Sequence, residues 1–396
     1  MHRIKIIFAF LFIITSSTVK AEGNGLGSLL KKAEENNLSL QAARQEINAA
    51  GFELSAENTL EPTSVEYSPF FRNGASGVAS SELVVSQEFD FPTLYAARGK
   101  AAKLQVATLE AGYASLRRDI LLSVNQTYLD IIGLKKERDV LDERVAVADT
   151  LLSLFQRRLE LGFATALEVN RIRMEQMDLR SEILRNESEY GNAMASLELL
   201  CGAMPGSLEI TDREYPLALP SLKDGFQATD LIMNDTGILA AQSALEASGQ
   251  EVKVARQGWI PKLSAGYRRN TELDEASNGF LVGASFPLFS TSRKVKAAAA
   301  RQAAAQINLE DARLKAVSEM EANIKEYSRL LESLKIIDLN LINETLALMR
   351  KSVDSGNMTA TDFYMESDNL YQKIGSYLTI ENSLQKTLAT LRRNTL

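Results

Sequence analysis

Twice in this chain more than a hundred residues pass without a proline, over 93–204 and 288–396. A proline inside a helix costs about 3 kcal/mol, so these spans are free to form very long helices. All eight prolines, Pro62, Pro69, Pro92, Pro205, Pro216, Pro220, Pro261 and Pro287, lie between or before them. The two spans are copies. Phe91-Pro92 aligns with Phe286-Pro287 at an offset of 195, and an arginine follows six residues after each proline, Arg98 and Arg293. Alanine-rich sequence comes next in both. Further on, Gly162-Phe-Ala-Thr165-Ala-Leu-Glu168 matches Gly356-Asn-Met-Thr359-Ala-Thr-Asp362. Upstream, Leu60-Glu61-Pro62 and Trp259-Ile260-Pro261 each end a helical pattern and open an alternating one. Two copies are too few for a solenoid, so the chain reads as one internal duplication.

Each copy has the same order of parts: short helix, two strands, very long helix, sharp turn, second long helix. The first copy is expected over 22–202, with strands at about 63–91 and helices at about 93–160 and 165–201. The second is expected over 236–396, with strands at about 262–289 and helices at about 290–354 and 359–393. An irregular connector, 203–235, separates them; it is rich in Pro, Gly, Ser and Asp. The strands follow from alternation. Leu83, Val85, Phe89 and Phe91 share one face with Gln87, and Phe280, Val282, Ala284 and Phe286 repeat the pattern. Their partners place Val65, Tyr67 and Phe71, and Leu263, Ala265 and Tyr267, in phase. Asn73-Gly74 and Asn278-Gly279 are expected in the hairpin connections. A strand of about 10 residues can cross a bilayer at a tilt.

The N-terminus has the three parts of a secretory signal peptide: basic Arg3 and Lys5, an apolar run from Ile6 to Ile14, and small residues at Val19 and Ala21. Removal of 1–21 is expected, and with it goes His2, the sole histidine. Ser/His/Asp and Cys/His catalysis and a His/Cys zinc site are then excluded within one chain. The remaining 41 basic and 51 acidic residues give a net charge of −10, which argues against nucleic acid as a partner. Cys201 alone cannot form an intrachain disulfide. No catalytic, cofactor or metal residues are expected.

The helical spans carry a seam. From Ile120 through Val124, Thr127, Ile131, Leu134, Arg138, Leu141, Val145, Ala148, Leu152, Phe155 to Leu159, spacings of four and three alternate, as in a coiled coil. Leu339, Ile342, Leu346, Met349 and Val353 do the same. The repeated motif after each seam is a helical hairpin. Gly162 and Gly356 can take positive φ past a helix end. Thr165 and Thr359 can cap the returning helix, with Glu168 and Asp362 placed to reach back. Four strands cannot close a membrane barrel, since about eight is the smallest known, so spanning strands require several chains. Two other readings are open: a soluble periplasmic coiled-coil scaffold, and an enzyme using Glu88 and Asp90 as paired carboxylates.

The signal peptide, the duplicated strand-pair-plus-helix unit and the two Gly-x-x-Thr-x-x-acid turns resemble the TolC-like outer-membrane efflux family across essentially the whole mature chain. The strand end Phe89-Asp90-Phe91-Pro92 with Arg98-Gly99-Lys100 is similar to its heavy-metal, cobalt–zinc–cadmium type branch. The resemblance implies a mainly α fold with membrane β: a homotrimer pooling twelve strands into a β-barrel, continued by a periplasmic α-barrel. It implies a passive exit duct in the outer membrane of a Gram-negative bacterium. Its partners would be outer-membrane lipid, a periplasmic adaptor and an inner-membrane pump of the resistance-nodulation-division type, its cargo small molecules or metal cations. The same channel could serve type I protein secretion. Leu161, Gly162, Phe163, Thr165, Ser355, Gly356, Met358 and Thr359 would form adaptor-facing tips. In the best-known member, aspartates six and nine residues after the second glycine narrow the channel. Asp362 matches the first; Met365 stands at the second, beside Glu366, and Glu168 is the equivalent acid in the first copy.

Overall fold

A computed structural model describes residues 25–71, 74, 77–216, 234–272, 275–287 and 291–396. The expected signal peptide, 1–21, lies outside them. The chain opens with α1 (Leu26–Asn36) and α2 (Leu38–Ala56), where one helix was expected. Asn37 divides them. Its side chain accepts a hydrogen bond from the Leu40 amide and donates one to the Leu200 carbonyl, and a side chain that caps a new helix stops the old one.

Four strands follow in two pairs: β1 (Ser64–Phe71), β2 (Val78–Phe89), β3 (Lys262–Glu272) and β4 (Glu275–Ser285). They form one antiparallel sheet in the order β1-β2-β3-β4. The β2–β3 pairing, from Ser80 opposite Glu272 to Phe89 opposite Leu263, joins the two copies. The register sorts the side chains, because facing residues share a side and neighbours alternate. One side carries Val65, Tyr67, Leu83, Val85, Phe89, Leu263, Ala265, Tyr267, Phe280, Val282 and Ala284. The other carries Glu66, Ser68, Glu82, Ser86, Glu88, Ser264 and Arg268, with Arg268 paired to Glu82 at 2.6 Å. The apolar side is bare on the outer strands, with Phe280 93% exposed and Val282 87%, while Leu83, Val85 and Phe89 of β2 are half-buried.

Three details differ from expectation. Asn278-Gly279 lies inside β4, not in a turn, because Asn278 is in register with Arg269 and accepts a hydrogen bond from the Tyr267 hydroxyl at 2.6 Å. The connection falls instead at 273–274, outside the described residues. A bulge between Phe70 and Phe71 places Phe71 opposite Val78 and shifts it out of the simple alternation. β2 ends at Phe89. Asp90 is buried against Arg98, with its carboxylate 2.5 Å from the guanidinium, and Phe91 stands in extended backbone at the start of the next helix, with no side-chain capping bond. Asp90 is therefore not free to pair with the exposed Glu88.

Helix α3 (Pro92–Glu160) is 69 residues long, roughly 100 Å at ~1.5 Å per residue. Pro92 sits in its first turn, where the missing N–H costs nothing. α4 (Ala166–Leu200) returns along it, and α5 (Thr236–Gln257) leads to β3. After β4 the expected continuous helix is broken into α6 (Thr291–Ile336) and α7 (Leu339–Asp354). Asp338 breaks it by accepting from the Asn340 and Leu341 amides at 3.0 and 3.1 Å, an alternative to the backbone ladder. α8 (Ala360–Leu391) closes the chain, followed by one 3-10 turn.

The seam packs as expected in its middle. Leu141 and Ala148 are buried with Leu179 of α4, and Ile342 and Leu346 with Tyr371 and Ile374 of α8. Arg138, the polar break in the seam, is paired with Asp142 and Glu187. Leu159 at the far end is exposed. A second stripe on α3, Leu121, Tyr128 and Ile132, was not foreseen. It is buried under α1 and the first part of the connector through Leu208 and Ile210. That part of the connector is irregular in backbone but tightly held: the Tyr128 hydroxyl bonds Asp212, and the Lys136 ammonium lies 4.6 Å from the Tyr215 ring centroid. Residues 217–233 lie outside the described structure.

Candidate functional site

The two hairpin tips are built alike. At the end of α3, Gly162 takes φ +80°, its amide donates to the Leu159 carbonyl at 3.1 Å, and the Phe163 amide donates to Arg158 at 2.7 Å. At the end of α7, Gly356 takes φ +78°, with its amide on Val353 at 3.1 Å and the Asn357 amide on Ser352 at 2.9 Å. Both are the paired 5→2 and 6→1 bonds that satisfy the last carbonyls of a helix when the residue beyond it is left-handed. Each returning helix is then capped. Thr165 and Glu168 exchange bonds as a full capping box, the Thr165 amide donating to the Glu168 carboxylate at 2.8 Å. Thr359 accepts from the Asp362 amide at 3.1 Å and donates its hydroxyl to the Asp362 carboxylate at 2.7 Å.

The fold brings the tips together. Leu151, Phe155, Val169 and Ile172 of the first copy form one buried cluster with Val353, Ala360, Phe363 and Tyr364 of the second. Arg158 extends from α3 to the end of α7, donating to the Val353 and Asp354 carbonyls at 3.0 and 2.9 Å. A cation at a helix C-terminus satisfies orphan carbonyls and opposes the dipole. Nothing in the local sequence announces this bond across the two copies.

Just above the tips lies a polar layer. Arg144 of α3 contacts Glu175 of α4 at 2.7 Å and Asp368 of α8 at 3.5 Å, while Arg171 of α4 contacts Asp368 at 3.4 Å. Arg144 also stacks 4.7 Å from the Tyr371 ring centroid. Glu175 is buried, and burial pushes its carboxyl above the usual carboxylate range despite the attraction of Arg144. This layer ties three helices from both copies and was not anticipated, because its members lie hundreds of residues apart in some pairs.

The anticipated tip residues differ in how they are presented. Leu161 and Phe163 project from the first tip, Phe163 being 80% exposed, with Leu167 beside them at 75%. Gly162, Thr165, Ser355, Gly356 and Thr359 are exposed; Met358 is half-buried against the shared cluster. Glu168 is half-buried within its capping box, whereas Asp362 and Glu366 are exposed. Among the described residues no group of three or more His, Cys, Asp or Glu is placed to hold a metal ion, and no helix is long and apolar enough to cross a membrane.

Comparison with solved structures finds the same fold. CusC, described as forming a transmembrane channel, superposes with a TM-score of 0.79 at 17% identity, covering 94% of this chain and 92% of CusC. The outer membrane protein VceC of Vibrio cholerae gives 0.77 at 18% identity, covering 93% of this chain and 95% of VceC. Among curated proteins, the pyoverdine export outer membrane protein OpmQ of Pseudomonas aeruginosa is 26% identical over 209 residues, 52% of this chain and 44% of that protein. The toluene efflux pump outer membrane protein TtgF of Pseudomonas putida is 25% identical over 239 residues, 58% of this chain and 49% of that protein. The matched segments thus span about half the length of these curated relatives. Both copies of the duplicated unit, over residues 29–203 and 229–395, match one family, and the chain belongs to it: the outer membrane efflux proteins.

Proposed function

We propose that three copies of this chain form an outer-membrane exit duct. The observation that carries the reading is the sheet. It is apolar and bare on one side, polar on the other, and open at β1 and β4. Its strands are 8 to 12 residues long, suited to crossing a bilayer at a tilt. Open edges in lipid leave backbone groups unpaired, and joining β4 of one copy to β1 of the next removes them. Three copies give twelve strands, with the polar side lining the lumen. The long helices then continue the duct into the periplasm, and the paired tips close its far end.

On this reading the tips meet a periplasmic adaptor linked to an inner-membrane pump, and the chain conducts passively. Small-molecule cargo is supported by the relatives, whose names refer to pyoverdine and toluene. Asp362, Glu366 and Glu168 narrow the closed end; a ring of carboxylates favours cations. The test is reconstitution of the purified protein in planar bilayers. Discrete cation-preferring conductance is expected, and a protein that stays soluble and leaves the bilayer silent would overturn the reading.

A further inference from the structure

The end of α2, the start of α3, the end of α5 and the start of α6 surround a cavity of about 660 Å³, within the roughly 300–1,000 Å³ of cavities that hold small ligands. It continues the polar side of the sheet. Arg98 lines it and pairs with Asp90, which is in phase with Glu82, Ser86 and Glu88. Glu61 lines it too and pairs at 2.8 Å with Lys262, in phase with Ser264 and Arg268. The floor is apolar: Leu94, Ala101 and Ala298 are buried there. The rim is charged at two places. Lys294 and Arg301 come from α6, and Glu57 comes from the residue after α2, all three exposed. None of them forms an ion pair among the described residues. Opposite charges on one cavity that do not pair stand too far apart to meet. The helix order explains the separation, since α2 leads into β1 and α6 follows β4, the two outer strands. Beside Glu57, Asn58 donates to the Tyr95 carbonyl at 3.1 Å, while its own buried side-chain oxygen accepts from no described residue. A buried polar atom left bare costs free energy, so such atoms are uncommon unless a partner comes from outside the chain.

We infer that this cavity binds an amphiphilic zwitterion. A carboxylate lies at Lys294 and Arg301, an ammonium group donates to the Asn58 oxygen and to Glu57, and an apolar body covers the floor. A simple cation or a simple anion satisfies one side and leaves the other without a partner. As a station for cargo inside the lumen, the site rests on the exit-duct reading given above; its binding chemistry does not.

The dipeptide Phe-Leu carries both charges on an apolar body. N-acetyl-Phe-Leu keeps only the carboxylate, and Phe-Leu amide keeps only the ammonium. Each would be titrated calorimetrically into the intact protein in detergent at about pH 6.5, where the α-amino group is protonated. Phe-Leu should bind about tenfold more tightly than either blocked form, as expected for one lost charge-assisted hydrogen bond. Lys294→Ala with Arg301→Ala should bring Phe-Leu to the affinity of its amide, and Glu57→Gln should bring it towards that of the acetylated form. Unchanged thermal midpoints check that these surface variants fold. Equal binding of the three forms, no saturable binding, or a preference that survives both variants overturns the site; discrete conductance in bilayers alongside any of these leaves the duct standing. Preferential binding of Phe-Leu by a protein that never conducts keeps the site and overturns its place in a duct.

Discussion

Gly356 shows how little a single residue need do to matter. Its φ of +78° is left-handed, and a Cβ added there would meet nothing within 4 Å. The cost of alanine is thus backbone strain alone, about 1–2 kcal/mol. Gly356→Ala should leave the trimer and its export intact, whereas Gly356→Glu adds charge at the tip and should abolish export while the trimer still forms. Export of a dye from cells carrying each variant, with trimer recovery on an unheated gel, checks both. Asp362 has two roles to separate. Its bonds to Thr359 make it part of a helix cap, and its exposure leaves its carboxylate open at the tip proposed to narrow the duct. Asp362→Asn keeps most of the cap, so a fall in cation preference in bilayers would isolate the charge; unchanged selectivity would leave the cap as its whole role. At the first tip, Thr165→Ala removes the cap bonds and should cost about 1 kcal/mol, read as a lower thermal midpoint in detergent.

Among the elements, the two hairpins are unequal. α3 runs unbroken for 69 residues, while its counterpart is interrupted by Asp338. The polar layer joins them through Arg144, Glu175, Arg171 and Asp368. Burial raises the Glu175 carboxyl pKa in the fold, so the folded state binds its proton more readily than the unfolded chain does. This group therefore favours the fold below its unfolded pKa, and that contribution is lost as pH rises through the folded value. Glu175→Gln keeps an oxygen for Arg144 without the buried charge. Relative to wild type it should gain thermal stability at pH 8, and the difference should shrink on acidification; a difference that grows on acidification would reverse the assigned sign.

For the whole molecule, the open sheet edges and the bare apolar side make the single chain an incomplete unit. The protein should fractionate with the outer membrane and run as a trimer on an unheated denaturing gel, collapsing to monomer when boiled. Recovery as a soluble periplasmic monomer would instead favour the coiled-coil scaffold.

Much of this architecture was legible in the sequence because it depends on local rules. Proline-free spans become helices, alternation becomes a two-sided strand, and Gly-x-x-Thr-x-x-acid becomes a turn capped at both ends. Features within a few residues of one another are governed by backbone sterics and nearby hydrogen bonds. The break at Asp338 was written in that same local code but was hidden by an apolar rhythm that continues across it. Asn278-Gly279 carries a turn signal, yet the cross-strand bond to Tyr267 and the ladder with Arg269 held it in β4. The bridge from Arg158 to α7 and the Arg144 layer were illegible, because each depends on which faces of distant helices meet. The sequence by itself determined the elements and the duplication. Only the tertiary structure decided how the copies lock at the tips, since that depends on burial and contact between residues nearly two hundred positions apart.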